Sequence, residues 1–375
     1  MANVLSVVWY KVLPAKFGGQ KGIACFNEFL SAHHNIVCTC SCNNQPSGKE
    51  PYKVLPVLPA SRTQVINPFA WRKIISIAKK ENCSHVIIEH CYYGLLGIFL
   101  KHFYSKKLIV HSHNIEYLRF RTIGKWWWFI LRLLEKRTHR AADLNLFKTK
   151  EDLDYAAAYF GLNPSACIVV PYGLMLSAVP SPEKKTAARL IVSRQHHIQQ
   201  AAKIILFNGT LDYEPNANAV RLIVNTLVPL LLQKNNTAFK VIVCGRNIYS
   251  GFEDLQQLKH ECYINAGLVE DIEPYFLAAD VFINPVLEGG GIKVKVMEAL
   301  AYNVPVVSTE SGARGISLQL AGEKLKLVKD GDWEEFCRQI ILQSDNRTDT
   351  PEDFFNQYHW SEIIKPVAER INELK

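Results

Sequence analysis

Short apolar runs alternate with helical patterns along almost the whole chain, and this alternation restricts the fold more than any other feature. The runs in the second half are KIILFNG, FKVIVCG, CYINAG, ADVFINP and VPVVST, and those in the first half are VLSVVWY, NIVCTCS, SHVIIEH, KLIVHSH, LNLFKT and CIVVPYG. Amphipathic stretches such as NANAVRLIVNTLVPLLLQK and DIEPYFLAA lie between them. Nearly continuous apolar strands separated by helices are typical of parallel sheets covered on both faces. The sequence therefore predicts an α/β protein built from doubly wound parallel sheets.

The chain is too long for one hydrophobic core, so two domains are expected. It has 375 residues, and single cores stop growing beyond about 250–300 residues. Residues 177–200 are polar and contain Pro180 and Pro182, as a linker would. We predict an N-terminal domain over 1–176, a linker over 177–200 and a C-terminal domain over 201–354. In such sheets, ligands bind outside the carboxyl ends of the strands, here in a cleft between the domains.

The positive charge of the protein is concentrated in one region. Ten Lys and Arg residues face two acidic residues between Lys101 and Arg140, a surplus of 10 − 2 = +8 that equals the net charge of the whole chain. The rest of the protein is therefore close to neutral. This distribution argues against a nucleic-acid-binding protein coated with basic residues.

Cysteine usage and hydropathy favour a folded cytoplasmic protein. The ten cysteines show no metal-ligand spacing, and Cys38, Cys40 and Cys42 alternate as in a strand with three thiols on one face. We expect reduced, buried thiols. No apolar run approaches the roughly 18 residues of a membrane span, and the opening MANVLSVVWY resembles a first strand more than a secretion signal.

The segment NPVLEGGGIKVKVMEALAYNVPVVSTESGARG, residues 284–315, places three glycines ahead of two lysines and a glutamate. A strand, a glycine loop and a helix follow one another here. Glycines let the backbone approach a ligand closely, and the free N–H groups of a helix start attract anions. Lys293 and Lys295 add positive charge at an end where the helix dipole disfavours it, so a bound anion would compensate. The carboxylate of Glu298 is suited to accept hydrogen bonds from the hydroxyls of a ribose. The alternative is a plain glycine turn with exposed lysines.

This segment resembles the signature of the retaining glycosyltransferases of family 4, in the branch with a GGGxKxKxxEA motif. Three further segments, FNGTLDYEPNANAVRLIVNTLVPLL, VIVCGRN and GLVEDIEPYFLAADVFINP, are similar to segments of that family in the same order. The resemblance covers residues 204–375 well and the first half loosely. It implies the GT-B fold, in which two Rossmann-like domains face each other across a cleft. It also implies that a terminal helix, 355–375, joins the N-terminal domain.

Carried over residue by residue, the resemblance implies a set of site residues. The catalytic candidates are His113, Lys293, Lys295 and Glu298, and the donor-binding candidates are Gly18, Gly19, Gly209, Arg246, Glu288, Gly289, Gly290, Gly291 and Ile292. Many family members carry a first glutamate at the position of Gly290, and only Glu288 lies near enough to replace it.

In the first half, two strand ends carry further polar residues. His113 follows a strand at the position of the family's donor-contacting histidine, and Glu116 is expected to support it or to meet the acceptor. Glu89, His90 and Tyr92 are candidates for the acceptor pocket. The alternative for His113, and for the neighbouring His111, is a histidine that caps the backbone.

The resemblance implies transfer of a sugar from a UDP- or GDP-sugar to an acceptor hydroxyl with retention of configuration. The expected acceptor is a growing glycan or a lipid-linked glycan, with no permanent cofactor and no bound metal. Two other functions stay open: a nucleotide-sugar epimerase of the same fold, and a catalytically weak scaffold that binds the donor or a membrane.

A basic, tryptophan-rich stretch, KWWWFILRLLEKRTHRAAD, lies at 125–143. Ile130, Leu131 and Leu134 share a helical face with Trp127, as a core-facing stripe would. One interpretation is an aromatic core element with a solvated basic face. The other is contact of residues 119–140 with an anionic membrane, on the inner face where a lipid-linked acceptor would lie.

Overall fold

The computed structural model describes residues 1–15, 18–234, 237–246, 251–288 and 293–374. The chain forms two compact units, one made of Met1–Gly173 with Tyr358–Lys375 and the other of Leu174–Gln357. Each unit contains one parallel sheet flanked by helices. The predicted α/β class with two doubly wound sheets is confirmed.

The first unit contains a seven-stranded parallel sheet with the order β3-β2-β1-β4-β5-β6-β7. The strands are β1 (Asn3–Val7), β2 (Asn35–Ser41), β3 (Lys53–Leu58), β4 (His85–Glu89), β5 (Lys107–Ser112), β6 (Leu144–Phe147) and β7 (Cys167–Val169). The helices are α1 (Gly18–Ser31), α2 (Pro68–Lys80), α3 (Gly94–Tyr104), α4 (Glu116–Thr122), α5 (Trp128–Ala141), α6 (Lys150–Ala156) and, from the end of the chain, α16 (Trp360–Glu373). The order of strands reverses between β1 and β4, which is where ligands bind in doubly wound sheets.

The second unit repeats this design with six strands in the order β10-β9-β8-β11-β12-β13. The strands are β8 (Lys203–Asn208), β9 (Phe239–Cys244), β10 (Tyr263–Gly267), β11 (Val281–Asn284), β12 (Val306–Thr309) and β13 (Leu325–Val328). The helices are α7 (Pro182–Gln195), α8 (Glu214–Leu222), α9 (Val228–Lys234), α10 (Asp254–Gln257), α11 (Glu273–Ala278), α12 (Val294–Ala301), α13 (Leu318–Ala321), α14 (Trp333–Gln343) and α15 (Glu352–Tyr358). Its strand order reverses between β8 and β11.

Alternation along β1 shows how the first sheet is buried on both faces. Val4 and Val8 pack with residues of α1 and α16, whereas Leu5 and Val7 pack on the opposite face with residues of α2 and α3. Successive side chains of a strand point to opposite faces, so a strand covered on both sides must be apolar throughout.

The structure differs from the predicted linker. Residues 182–195 form α7, which belongs to the second unit. Ser181 is the N-cap of this helix. Arg189 fixes this helix by donating to a carboxylate oxygen of Asp280 at 2.6 Å and to the carbonyl oxygen of Ala278 at 2.7 Å. The first unit has two segments. The first segment ends at Gly173, and the second begins at Tyr358.

Two strands were not expected from the sequence. Pro56 interrupts the apolar pattern of β3, and a proline is tolerated there because β3 is an edge strand. β13 has only four residues and lies at the edge of the second sheet. Both edges lack the continuous apolar run that marks a central strand.

All ten cysteines are free thiols. Cys38 and Cys40 are buried on one face of β2, as predicted. The expectation for Cys42 was wrong, because the strand ends at Ser41 and Cys42 is exposed. In the described ranges, no helix combines the length and the apolar character required to cross a membrane.

Candidate functional site

In the second unit, the predicted lysines lie at the amino end of α12. Lys293 occupies the N-cap position and is half-buried. Burial lowers the pKa of Lys293, and the charge of Arg314 lowers it further. Arg314, which sequence reasoning missed, follows β12 and brings a third positive charge to this end of the helix.

Lys295 is held in an unusual environment for an ammonium group. Its Nζ donates to Oδ1 of Asn216 at 2.9 Å and lies 4.2 Å from the centre of the Phe207 ring. Burial lowers the pKa of Lys295 to about 7, and the charge of Lys293 acts in the same direction. No carboxylate forms a salt bridge with Lys295 among the residues that the structure describes. The site therefore favours an added anion.

Asn216, which lies in α8, was not identified from the sequence. Its side-chain amide orients Lys295. Its Nδ2 donates to the carbonyl oxygen of Thr210 at 2.9 Å, which leaves Oδ1 facing the lysine. A Cβ atom added to Gly209 would lie 2.8 Å from the Asn216 amide. Gly209 is thus needed to make room for Asn216, a structural reason separate from the predicted contact with a donor.

Three other predicted residues of this unit, Glu288, Glu298 and Arg246, lie in the part of the chain that the structure describes. Glu298 is half-buried in the second turn of α12, and Glu288 is exposed at the end of the described segment before the glycine loop. Gly289, Gly290, Gly291 and Ile292 lie outside the described residues. Arg246 follows β9, and its Nη2 donates to Oδ2 of Asp212 at 3.1 Å.

In the first unit, the predicted glycines lie at the start of α1. Gly18 is the first residue of the helix, and a Cβ atom added to Gly19 would meet nothing within 4 Å. Packing inside the unit therefore does not require a glycine at position 19.

His113 lies just after β5 and is oriented by Glu89, a completely buried carboxylate at the end of β4. Oε2 of Glu89 accepts a hydrogen bond from Nε2 of His113 at 2.7 Å, and Oε1 is 3.1 Å from Nδ1 of His111. Glu89 and His111 are paired in register across β4 and β5. Burial lowers the pKa of His113 well below its ordinary value, and the nearby His90 and His111 add to this effect.

Glu116 does not support His113, one of the two roles expected for it. It instead accepts hydrogen bonds from Nδ1 of His90 at 3.1 Å, the hydroxyl of Tyr92 at 2.7 Å and Nη2 of Arg119 at 2.7 Å. Burial alone would raise the pKa of Glu116, but these donors and the charges of His90 and Arg119 outweigh it and lower the pKa to about 2. Glu116 is therefore ionised.

A third carboxylate, that of Glu135, stabilises the start of α4, the helix that carries Glu116. Glu135, buried in α5, accepts the backbone N–H groups of Glu116 at 2.8 Å and Tyr117 at 3.0 Å, which are the first two residues of α4. Burial raises the pKa of Glu135 to about 8, although both hydrogen bonds oppose the change.

Ligand atoms of Glu89, His111 and His113 lie within 4.8 Å of one another, a spacing that a metal ion could bridge. These atoms already pair with each other as imidazole donors and carboxylate acceptor. We therefore assign the three side chains to a hydrogen-bond network.

The tryptophan-rich stretch presents an apolar outer surface, formed by Trp126 in the turn before α5 and by Phe129, Ile130 and Leu133 in α5. The exposed fractions are 75% for Trp126, 47% for Phe129, 53% for Ile130 and 59% for Leu133. Placing Ile130 on the core-facing stripe was wrong, because Leu131, Glu135, Thr138 and His139 form the buried face of α5. Basic residues in the same stretch of chain are exposed as well: Arg121, Lys125, Arg132, Arg137 and Arg140.

Two family models match the chain, one in each unit. The model described as "Glycosyltransferase Family 4" matches residues 26–177, and the model described as "Glycosyl transferases group 1" matches residues 202–345. An uncharacterized 44.6 kDa protein in the cps region of Klebsiella pneumoniae is 28% identical over 163 residues. That match spans 41% of this chain and 40% of the Klebsiella protein.

Solved structures of similar fold cover nearly the whole chain. HepE of Anabaena in complex with UDP matches with a TM-score of 0.74 at 14% identity over 100% of both chains. Sucrose-phosphate synthase from Thermosynechococcus elongatus matches with a TM-score of 0.73 at 13% identity over 99% of both chains. A glycosyltransferase from Rickettsia africae has a TM-score of 0.71 at 14% identity, covering 100% of this chain and 98% of its own. These likenesses show the fold, GT-B, with its two Rossmann-like domains.

Proposed function

Because the chain belongs to glycosyltransferase family 4, whose models match one range in each unit, we propose that it transfers a sugar from a nucleoside diphosphate sugar to an acceptor hydroxyl. Retention of the anomeric configuration and a hexose as the transferred sugar are part of the proposal, since the glycine–lysine motif resembles that of retaining family members. The acceptor is a glycan or a lipid-linked glycan. The donor is bound without a metal ion.

The buried ammonium group of Lys295 supports this proposal most directly. Lys295 has a neutral amide and an aromatic ring as its surroundings, with Lys293 next to it at the amino end of α12. A diphosphate at this position would supply the missing negative charge and accept hydrogen bonds from the helix start.

The same groups account for the difficult step of the reaction. Negative charge grows on the diphosphate as the sugar departs, and fixed positive charges in a dry site stabilise that charge. Lys293 and Lys295 supply such charges, and the helix start adds its dipole. Glu298 is assigned to the ribose and His113 to the sugar.

Thermal unfolding in the presence of UDP, GDP, TDP and UDP-glucose tests the proposal. UDP is the first choice because the solved HepE structures contain UDP and UDP-glucose. A ligand at 100 times its dissociation constant adds about 2.7 kcal/mol to the free energy of unfolding. We expect one nucleotide series to raise the melting temperature of the wild type and not of Lys295→Ala. If no nucleotide or nucleotide sugar stabilises the protein, the proposal fails. Incubating the donor alone separates a transferase from an epimerase, which would isomerise the sugar without an acceptor.

We also propose that the outer surface of α5 docks the enzyme on an anionic lipid surface on the cytoplasmic side. Trp126, Phe129 and Leu133 are the apolar anchors, and the exposed basic residues of the same stretch match negatively charged headgroups. Tryptophan and leucine on one side of a helix with lysine and arginine beside them are typical of segments that lie in the membrane interface.

A further inference from the structure

The exposed apolar side chains of the first unit are gathered on one side of its sheet. Helices α2 and α3 pack on the face opposite to α1 and α16, and α5 packs beside α3. In the part of the chain that the structure describes, α1 and α16 carry none of the exposed large apolar side chains, whereas the stretch 62–141 carries nine of them. Exposed apolar side chains that collect on one side of a protein mark an interaction surface.

Several of these side chains lie at the starts of helices. Phe69 and Leu95 are the second residues of α2 and α3, and Ile66 ends the short turn Arg62–Ile66 before α2. Ile123 and Trp126 lie between α4 and α5. In a parallel sheet, each connecting helix runs antiparallel to the strands, so the helix starts lie at the carboxyl edge of the sheet. We call these five residues the apolar rim.

The turn that ends at Ile66 lies beside the start of α3. Within that turn, the side chain of Gln64 donates to the carbonyl oxygen of Trp9 at 2.5 Å and accepts a hydrogen bond from the hydroxyl of Tyr93 at 3.0 Å. Tyr93 directly precedes α3, whose second residue is Leu95. The apolar rim therefore continues from the start of α2 to the start of α3.

The candidate acceptor pocket lies at the same edge. Tyr92, three residues before Leu95, donates to the carboxylate of Glu116 at 2.7 Å, and Arg119 of α4 donates to the same carboxylate at 2.7 Å. Tyr92 and Glu116 are both among the residues expected at the acceptor. An acceptor bound there would lie close to exposed apolar side chains.

Positive charge accompanies the apolar rim. The segments 61–73, 94–98 and 120–133 contain six Lys and Arg residues and no Asp or Glu. All six are exposed: Arg62, Arg72, Lys73, Arg121, Lys125 and Arg132. Apolar side chains beside lysine and arginine suit the interface of an anionic lipid bilayer. A glycan dissolved in water would use neither the apolar surface nor the charge.

We propose that the acceptor is an amphiphile held in an anionic lipid bilayer, and that the apolar rim seats the carboxyl edge of the first sheet against that bilayer. The hydrocarbon chain of the acceptor stays in the bilayer while its sugar enters the pocket beside Tyr92 and Glu116. This inference rests on the proposed glycosyl transfer, and it selects the lipid-linked acceptor over the free glycan. It goes beyond the docking surface of α5, because Ile66, Phe69 and Leu95 belong to other elements.

Cosedimentation of the full chain with phosphatidylglycerol vesicles tests where the contact lies. We expect the double variant Phe69→Ser, Leu95→Ser to lower the partition coefficient about 10-fold or more, because two apolar side chains lose their burial in the bilayer. Phe103→Ser is the matched control: Phe103 is 73% exposed in the last turn of α3, at the opposite edge of the sheet. Equal binding of the double variant and the wild type, or an equal loss in Phe103→Ser, would overturn the inference.

Thermal melting and size-exclusion chromatography complete this test. Phe69 and Leu95 are exposed, so the double variant should melt like the wild type. A wild-type dimer that does not bind vesicles and that dissociates in the double variant would assign the apolar rim to a second copy of the chain, and the inference would be wrong.

A radiolabelled nucleotide sugar tests the class of acceptor. The donor selected by thermal unfolding is incubated with the protein and either the membrane fraction or the soluble fraction of the source cells. We expect the label in a chloroform–methanol extract of the membranes, and label confined to water-soluble glycan would contradict a lipid-linked acceptor. The double variant should label the membranes at least 10-fold more slowly than Phe103→Ser. Detergent should narrow this difference, because it removes the bilayer.

The outcomes separate this inference from the proposed function. If the label enters a water-soluble glycan only, the inference is wrong while the proposed function stands. If no nucleotide or nucleotide sugar binds, the proposed function fails, and cosedimentation of the double variant still decides whether the apolar rim contacts a bilayer.

Discussion

At the scale of single residues, burial gives the polar groups their properties. Burial displaces the pKa of Lys295, Glu135 and His113 toward the neutral form of each side chain. Glu116 moves the opposite way because three donors surround its carboxylate. The sequence identified Lys295 and His113 through the resemblance to the family and named Glu89 as a candidate for the acceptor pocket, but it predicted neither the role of Asn216 nor that of Glu89. These two act through contacts between distant segments, Asn216 with Lys295 and Glu89 with His113, which no spacing rule predicts.

Replacing Lys295 by alanine should weaken the binding of UDP. A charge-assisted hydrogen bond to phosphate is worth about 1.5–3 kcal/mol, which is roughly a 10- to 150-fold increase in the dissociation constant. Isothermal titration calorimetry measures this value, and Lys259→Ala is the control because Lys259 is exposed in the same unit. Equal affinities for wild type and Lys295→Ala would remove Lys295 from the site.

The binding of UDP should be linked to proton uptake by Lys295. Its pKa is about 7 in the free protein because burial disfavours the charged form, and a diphosphate would restore the charge. Below about pH 7 the lysine is already protonated. Above it, we expect affinity to fall as pH rises, by up to tenfold per pH unit. Calorimetry at pH 8 in two buffers of different ionisation enthalpy measures the proton taken up. In Lys295→Met the uptake should vanish, and persistence of the uptake there would point to another group.

The same lysine contributes to stability with a defined sign. The folded state holds fewer protons than the unfolded state between the folded pKa near 7 and the ordinary lysine value of 10.5. Its contribution to the free energy of unfolding therefore rises with pH across that window and is most unfavourable below it.

At the scale of elements, α5 serves two purposes on opposite faces. Its inner face carries Glu135, which accepts the first two backbone N–H groups of α4, and its outer face carries exposed apolar residues. The sequence predicted a helix with an apolar stripe here. It assigned Ile130 to the wrong face, because a glutamate on the buried side cannot be anticipated from hydropathy.

Replacing Glu135 by leucine should destabilise the first unit. The two backbone N–H groups at the start of α4 would lose their acceptor in a buried place, at a cost of about 1–3 kcal/mol each. Chemical denaturation measures the change. Glu135→Gln keeps one acceptor oxygen and should cost less. If both variants unfold like the wild type, Glu135 does not determine the start of α4.

Substituting the apolar anchors of α5 should reduce membrane binding. We expect the triple variant Trp126→Ser, Phe129→Ser, Leu133→Ser to lose most of its cosedimentation with phosphatidylglycerol-containing vesicles at low salt, since burial of apolar area drives such binding. Ile191→Ser is the control, because Ile191 is 58% exposed on α7 of the other unit. No binding of the wild type to these vesicles would disprove the lipid contact.

At the scale of the whole molecule, both units use the same strand order, and α16 completes the first unit from the end of the chain. Trp360, Ile364, Val367 and Ile371 of α16 are almost completely buried in the core below β1 and α1. The apolar strands predicted most of both sheets, because central parallel strands are apolar on both faces. Three elements were missed for different reasons: Pro56 interrupts the apolar pattern of β3, β13 has only four residues, and the helix in 177–200 is polar.

Ending the chain after Gln357 should unfold the first unit and leave nucleotide binding in the second. Each of the four large side chains lost from the core contributes about 1.5–3 kcal/mol, a sum that is comparable to the whole stability of a typical domain. Circular dichroism and UDP calorimetry on the truncated chain measure the two effects. An unchanged melting profile of the first unit would show that α16 is dispensable.

The position of α16 also sets an order of events during synthesis. Residues 174–357 leave the ribosome as a continuous segment that contains every strand of the second sheet, whereas the first sheet waits for α16, which follows the second unit in the chain. The amino-terminal half of the nascent chain must therefore stay partly uncovered until α16 has been synthesised, and it is the half that a chaperone would recognise.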